Sequence, residues 1–219
     1  MKMKSVITGF LIAASLIGNA QTTENTGSLG ESVYHDVGGS PFVLVDWADG
    51  VVRFSSGRVA SQFKIKFNAV KNQINLQFQG SSFVTESKVK DFVLYTSVGG
   101  NKDSMVFRKG YPNYESANEE TFYQVLVQGK TDLVKLHLKI ISEEPQIATK
   151  IVYRRVRDEP QYFLVVNKTM IKLPQDKLLV AEKFPDHQSE IQKYISEQQM
   201  KFRDNTDFIK LVAYYNSLQ

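Results

Sequence analysis

The chain has 219 residues, 42% of them hydrophobic and 23% charged, with no cysteine and a formal net charge of +4. Without cysteine there is no disulfide framework, no thiol nucleophile and no thiol for lipid attachment, so burial alone has to hold the fold. The 27 Lys and Arg nearly balance the 23 Asp and Glu, so the charge does not point to a nucleic-acid or anionic-membrane surface, which shows as a clustered basic stripe.

The N-terminal stretch "MKMKSVITGFLIAASLIGNAQ" carries Lys2 and Lys4, an apolar run from Val6 to Ile17 and the small-residue site Gly18-Asn19-Ala20. These are the three parts of a secretory signal, with cleavage expected after Ala20. The apolar run is shorter than the roughly 20 residues that span a bilayer, so no transmembrane segment is expected to remain after cleavage. Residues 21–39 are polar and glycine-rich and read as a flexible leader. A single domain is expected over residues 40–219.

From Pro41 to Leu173 apolar residues recur with period two in short runs separated by Gly, Asn, Asp and Pro, the pattern of about ten consecutive antiparallel strands. "PFVLVDW" (41–47) reads as the first, with Trp47 buried at its end, and "VVRFS" (51–55) as the second. "QFKIKFNAVKNQINLQFQ" (62–79) reads as a hairpin. Its Phe63, Ile65, Phe67, Ile74, Leu76 and Phe78 face a core, while Lys64, Lys66, Asn68, Asn75 and Gln77 face water. A slip of one residue would exchange the two faces, so burial fixes the register. "SFVTE" (82–86), "VKDFVLYT" (89–96) and "SMVFRK" (104–109) follow. "GYPNYESANEE" (110–120) lacks alternation and reads as the longest irregular loop. "TFYQVLVQ" (121–128) turns into "TDLVKLHLKIIS" (131–142), whose poor alternation predicts a bulge. "KIVYRRVR" (150–157), "QYFLVVN" (161–167) and "TMIKLP" (169–174) complete the series.

The period then changes. "DKLLVAEKF" (176–184) reads as a short helix capped by Asp176, and Pro185-Asp186 stops it and caps the next, in which Ile191, Tyr194 and Ile195 share a face. Asp204 or Asn205 caps a third, with Phe208, Leu211, Val212 and Tyr215 on one stripe. These stripes are too narrow for an independent core, so the helices are predicted to dock on the sheet. The expected fold is mainly β: an antiparallel meander forming a sandwich or partly open barrel of about ten strands, with two or three helices over residues 176–218.

Chemistry is thinly marked. His35, His137 and His187 have no ligand spacing and no cysteine to help, so neither a metal site nor a cofactor is expected. His137 lies on the face opposite Leu136 and Leu138 and reads as a surface or hydrogen-bonded histidine. No nucleophile elbow or phosphate-cradling glycine loop is present. The acidic pairs Glu119-Glu120, Glu143-Glu144 and Asp158-Glu159 leave a two-carboxylate glycoside hydrolase as the enzyme class to weigh, although adjacent carboxylates in polar loops are usually solvated. Tyr111 and Tyr114, with Asn113 between them, are the candidate binding residues, since aromatic side chains on a loop can stack on a sugar or a partner side chain.

The segments "GSPFVLVDWADGVVRFSSGR", "FYQVLVQGKTDLVK" and "EIQKYISEQQMKFRDNTDFIKLVAYYNSL" together resemble uncharacterised secreted β-rich proteins of Bacteroidota, over Gly39 to Leu218. The resemblance carries no known activity. It implies export and a place in the periplasm, at the outer membrane or outside the cell. The functional expectation is a non-catalytic module of the cell envelope that binds an envelope protein or glycan through loops and strand edges. The alternatives are an envelope hydrolase using two carboxylates and a carrier of an apolar ligand.

Overall fold

The computed structural model describes residues 37–85, 88–146 and 151–219; the expected secretory signal and the expected leader up to residue 36 lie outside them. In chain order the first strands are β1 (Val37–Gly38), β2 (Ala48–Phe54), β3 (Val59–Ala60), β4 (Lys64–Asn68), β5 (Gln73–Phe78) and β6 (Ser81–Val84). Then come β7 (Val89–Val98), β8 (Asn101–Arg108), β9 (Tyr123–Val127) and β10 (Asp132–Leu136). The last are β11 (Lys139–Gln146), β12 (Ile151–Asp158), β13 (Gln161–Val166) and β14 (Thr169–Leu173). Three helices follow: α1 (Lys177–Val180), continued by a 3-10 turn, α2 (Gln188–Glu197) and α3 (Asn205–Leu218). The protein is therefore mainly β with a helical C-terminal end.

Eleven strands make one antiparallel sheet, in the order β14, β13, β10, β9, β8, β7, β2, β4, β5, β6, with β3 paired to β2. The sheet does not close into a barrel. It bends at β2, which pairs with β4 at Ala48 and Asp49 and with β7 along its length. The bend lets β4 and β5 fold back over β7 and β8. Phe67 of β4 lies 5.3 Å from Phe92 and 5.2 Å from Phe107, ring centre to ring centre, and those two stack at 4.7 Å. Gly50 sits at the bend, where a Cβ would collide with the Val93 carbonyl of the neighbouring strand, so only glycine fits this approach.

The other half of the sheet is covered on both faces. Leu133, Tyr162, Leu164 and Leu173 on one face meet Ile191, Ile195, Phe208, Leu211, Val212 and Tyr215 of the helices. Each such side chain, fully buried, stabilises by about 1.5–3 kcal/mol, which holds helices that would be marginal in isolation. On the opposite face Tyr123, Val134, Phe163 and Met170 lie beneath the loop over residues 109–122. Asn216 clamps α3 to the turn before β10: its Oδ1 accepts from the Thr131 amide and its Nδ2 donates to the Thr131 carbonyl, both at 2.9 Å.

Asp176 caps α1 and Asp204 caps α3, each accepting from the amide two residues on. Asp186 does not cap α2. The cap position is His187, in a left-handed conformation, and its side chain makes no capping bond to the helix backbone. The Asp186 carboxylate instead accepts from the Tyr215 hydroxyl at 2.6 Å, tying α3 to the turn before α2.

Several expectations from the first hundred residues are corrected. Residues 41–47 form no strand. They run along the edge of β4 through a single bridge between Phe42 and Asn68, with the Val43 amide donating to the Phe67 carbonyl at 3.0 Å. Trp47 is only half-buried. The polar face of the β4 and β5 hairpin is also not all wet: Lys66, Asn68 and Asn75 are buried, whereas Phe78 on the apolar face is exposed. The rings of Phe42 and Trp47 lie 4.6 and 5.6 Å from the Lys66 ammonium, and a cation over aromatic faces keeps a favourable partner when it leaves water. Val37 and Gly38, read from sequence as leader, pair in parallel with β12.

Candidate functional site

The loop carrying Tyr111, Asn113 and Tyr114 is anchored at both ends. Lys109 pairs with Glu120, the Gly110 amide donates to the Glu119 carbonyl at 2.7 Å, and Asn72 bonds both the Glu120 carbonyl and the Phe122 amide. So held, the loop turns its first tyrosine inward. Tyr111 is buried with its ring edge-on to Tyr123 at 5.5 Å, because the apolar face of β9, β10 and β13 needs a cover. Burial raises the Tyr111 pKa. Asn113 is exposed, and Tyr114 is half-buried against Phe163 at 4.9 Å. The three residues thus split: only Asn113 and Tyr114 reach the surface.

Tyr114 borders a surface hollow of about 490 Å³ shared with Met170, Ile171, Lys172, Pro174 and Lys183. Met170, Ile171 and Lys172 belong to β14, the last strand of the large sheet, whose outer edge has no partner strand among the described residues. The hollow therefore lies along a row of unpaired backbone groups, the arrangement that accepts an added strand.

A second edge without a partner strand among the described residues lies on β11. The hairpin of β10 to β13 keeps one register from Asp132 opposite Val165 out to Gln146 opposite Ile151. Past residue 138 it leaves the large sheet: among the described residues β11 pairs with β12 alone, and β12 takes β1 on its other side. None of the described side chains at residues 139–145 and 152–158 is buried. At about 3.3 Å per residue the eight-residue strands make an arm on the order of 26 Å long. Its large apolar side chains stand in water on both faces, with Ile140 37% exposed, Ile141 42%, Val152 54% and Tyr153 52%.

The acidic pairs fall mostly on this arm and on the 110–120 loop, and four of their six carboxylates, those of Glu120, Glu143, Glu144 and Asp158, are engaged as ion pairs. Glu143 meets Arg154 at 3.3 Å, Glu144 meets Arg157 at 2.8 Å and Asp158 meets Lys139 at 2.5 Å. Hydrogen bonds from Lys109 and Arg157 hold the Glu120 and Glu144 carboxyls below the usual carboxylate range. A glycosidase acid needs the opposite shift.

At the root of the arm His137 Nε2 donates to Gln124 Oε1 at 2.7 Å. Desolvation, reinforced by Lys135 and Lys139, pushes the His137 pKa down to about 3, so the ring is neutral. It fits the hydrogen-bonded histidine read from the sequence. Among the described residues no three His, Asp or Glu side chains gather where a metal could be held, and no helix is long and apolar enough to cross a membrane.

The arm was not singled out from sequence, though two signals for it exist. Residues 131–142 read as one strand about twice the usual length. Neighbouring apolar pairs, Ile140-Ile141 and Val152-Tyr153, put an apolar side chain on each face of each strand. The edge position of β14 has no local signal, because strand order is a tertiary property.

No protein-family model, curated protein or solved structure matches the chain.

Proposed function

We propose that this protein is an exported, non-catalytic interaction module of the cell envelope, of the same kind as the secreted β-rich proteins of Bacteroidota that its segments resemble. It binds a protein partner through the arm of β11 and β12 and the edge of β14. The observation that carries this reading is the arm, a hairpin displaying Ile140, Ile141, Val152 and Tyr153 to solvent on both faces. A two-stranded hairpin is marginal in water by itself, and an apolar surface of this kind marks a place where another surface sits. Low-pKa, ion-paired carboxylates support binding over hydrolysis.

The test is crosslinking in cells of the tagged full-length chain beside a variant carrying Ile141→Ser and Tyr153→Ser, with membrane fractionation and identification of captured proteins. One recurrent envelope protein, captured by the parent and lost from the variant, is the expected result. Equal capture by both chains would reject the arm as the binding surface.

A further inference from the structure

We infer that the arm's occupant is a second copy of this chain, docked head to tail, with the free edge of β11 in one molecule added to the free edge of β14 in the next. The inference rests on the arm being an interaction surface and adds the identity of the partner. Both edges needed for the contact are present in one chain: β11 ends the three-stranded sheet and β14 ends the eleven-stranded one.

Charge selects this pairing over the others. Lys168 and Lys172 flank and occupy β14, and Lys183 borders the hollow beside it. None of the three has an ion-pair partner among the described residues. The outer half of β11 carries Glu143 and Glu144, whose pairs with Arg154 and Arg157 are solvent-exposed and so readily exchanged. A parallel contact that lays residues 140–144 of β11 along residues 169–173 of β14 sets Lys172 opposite Glu143. A β14-to-β14 contact would gather Lys168 and Lys172 of both copies along one ladder with no acid to offset them, and a β11-to-β11 contact centred on the glutamates would oppose acids, both destabilising. Lys139, the only cation on β11, is already bound to Asp158 with its side chain 10% exposed, so it cannot relieve the second arrangement. The remaining end of the large sheet, β6, carries no charged side chain.

Shape agrees with charge. An added β11 strand would direct alternate side chains to either side of the β14 edge, and Ile140 or Ile141 would meet the hollow lined by Tyr114, Met170, Ile171 and Pro174. Pro145 lacks an amide hydrogen, so the ladder is limited to residues 139–144 against the five residues of β14. Such a contact is short and therefore weak for each pair of molecules. Being heterologous, it repeats into a ring or an open chain rather than closing a two-fold dimer.

The absence of cysteine makes the contact directly testable. Full-length protein with Ser142→Cys in β11 is mixed with a differently tagged chain carrying Thr169→Cys in β14, and a flexible bis-maleimide is added at rising protein concentration. The expected product joins one of each and is absent when either variant is treated alone. Lys172→Glu in the β14 chain lowers its yield about fivefold, the size of one reversed charge pair, and Glu143→Lys in the β11 chain restores it. Products from Ser142→Cys alone would overturn the head-to-tail arrangement. No product, with a monomer mass by sedimentation at every concentration, would overturn self-association altogether. In that case capture of a different envelope protein, lost with the arm variant, would leave the interaction reading standing.

Discussion

The inner and outer halves of the hairpin running from Asp132 to Val165 share one register, yet they live in different surroundings. Inside, Leu133, Val134, Phe163 and Leu164 have no exposed surface, with helices on one face and the 109–122 loop on the other. Outside, the same register continues for eight pairs, and none of the described side chains at residues 139–145 and 152–158 is buried. A shared strand register thus does not distribute stability evenly. Packing fixes the inner half, and the outer half is carried by its attachment to it.

The largest effect that separates the halves is side-chain truncation. Phe163→Ala, in the inner half, is expected to cost about 3–5 kcal/mol, read as a lower urea midpoint. Tyr153→Ala, in the arm, is expected to change stability by no more than about 0.5 kcal/mol. A comparable loss from both would mean that the arm is packed in solution and would break the comparison.

His137 stands where the halves meet, and acid tests the boundary. Its folded pKa of about 3 lies below the ordinary histidine value of 6.5 because burial disfavours the charged ring. The unfolded chain therefore takes up this proton first. Its contribution is complete above pH 6.5 and is lost as the pH falls towards 3, by up to about 1.4 kcal/mol per pH unit. Between pH 6.5 and 5, where carboxylates stay ionised, unfolding measurements should show that slope in the parent and a flatter one in His137→Gln. Equal slopes would mean that water reaches the ring.

How far this contrast could be read from sequence follows from its physical origin. Period-two alternation marked nearly every strand because burial on one face is a local pattern, and the Phe208, Leu211, Val212 and Tyr215 stripe marked α3 for the same reason. What failed depends on neighbours distant in sequence. Residues 41–47 alternate like a strand, but their single bridge to β4 at Phe42 leaves them irregular. Lys66, Asn68 and Asn75 look wet until the aromatic rings of Phe42 and Trp47 are brought near Lys66. Tyr111 looks like a binding residue until the apolar face it covers is assembled. Export and partner recognition had only the N-terminal signal pattern and the segment resemblance to speak for them.

A smaller effect probes how the inner half is locked. Asn216→Ala removes both bonds to Thr131, whose main-chain groups sit in a buried residue. The expected loss is about 1–3 kcal/mol, the cost of leaving buried polar groups without partners. Hydrogen exchange should speed up first in α3 and at the turn before β10, with the arm's amides unchanged.

The smallest expected effect on stability comes from the arm's own charges, and it separates folding from association. Glu143→Gln and Glu144→Gln should leave the urea midpoint in place, since both carboxylates are exposed and their pairs screened by water and salt. Arg157 holds the Glu144 carboxyl below its usual range, so the charge on that side chain persists as the pH falls through 6.5 and is lost only below the ordinary carboxylate value. The two halves of the hairpin therefore have separate acid windows. Fold stability begins to fall below pH 6.5 through His137, while crosslinking between β11 and β14 should hold its yield until the carboxylates protonate. If instead the yield declined in step with His137 titration while the chain stayed folded, the contact would depend on the root of the arm rather than on its acidic edge.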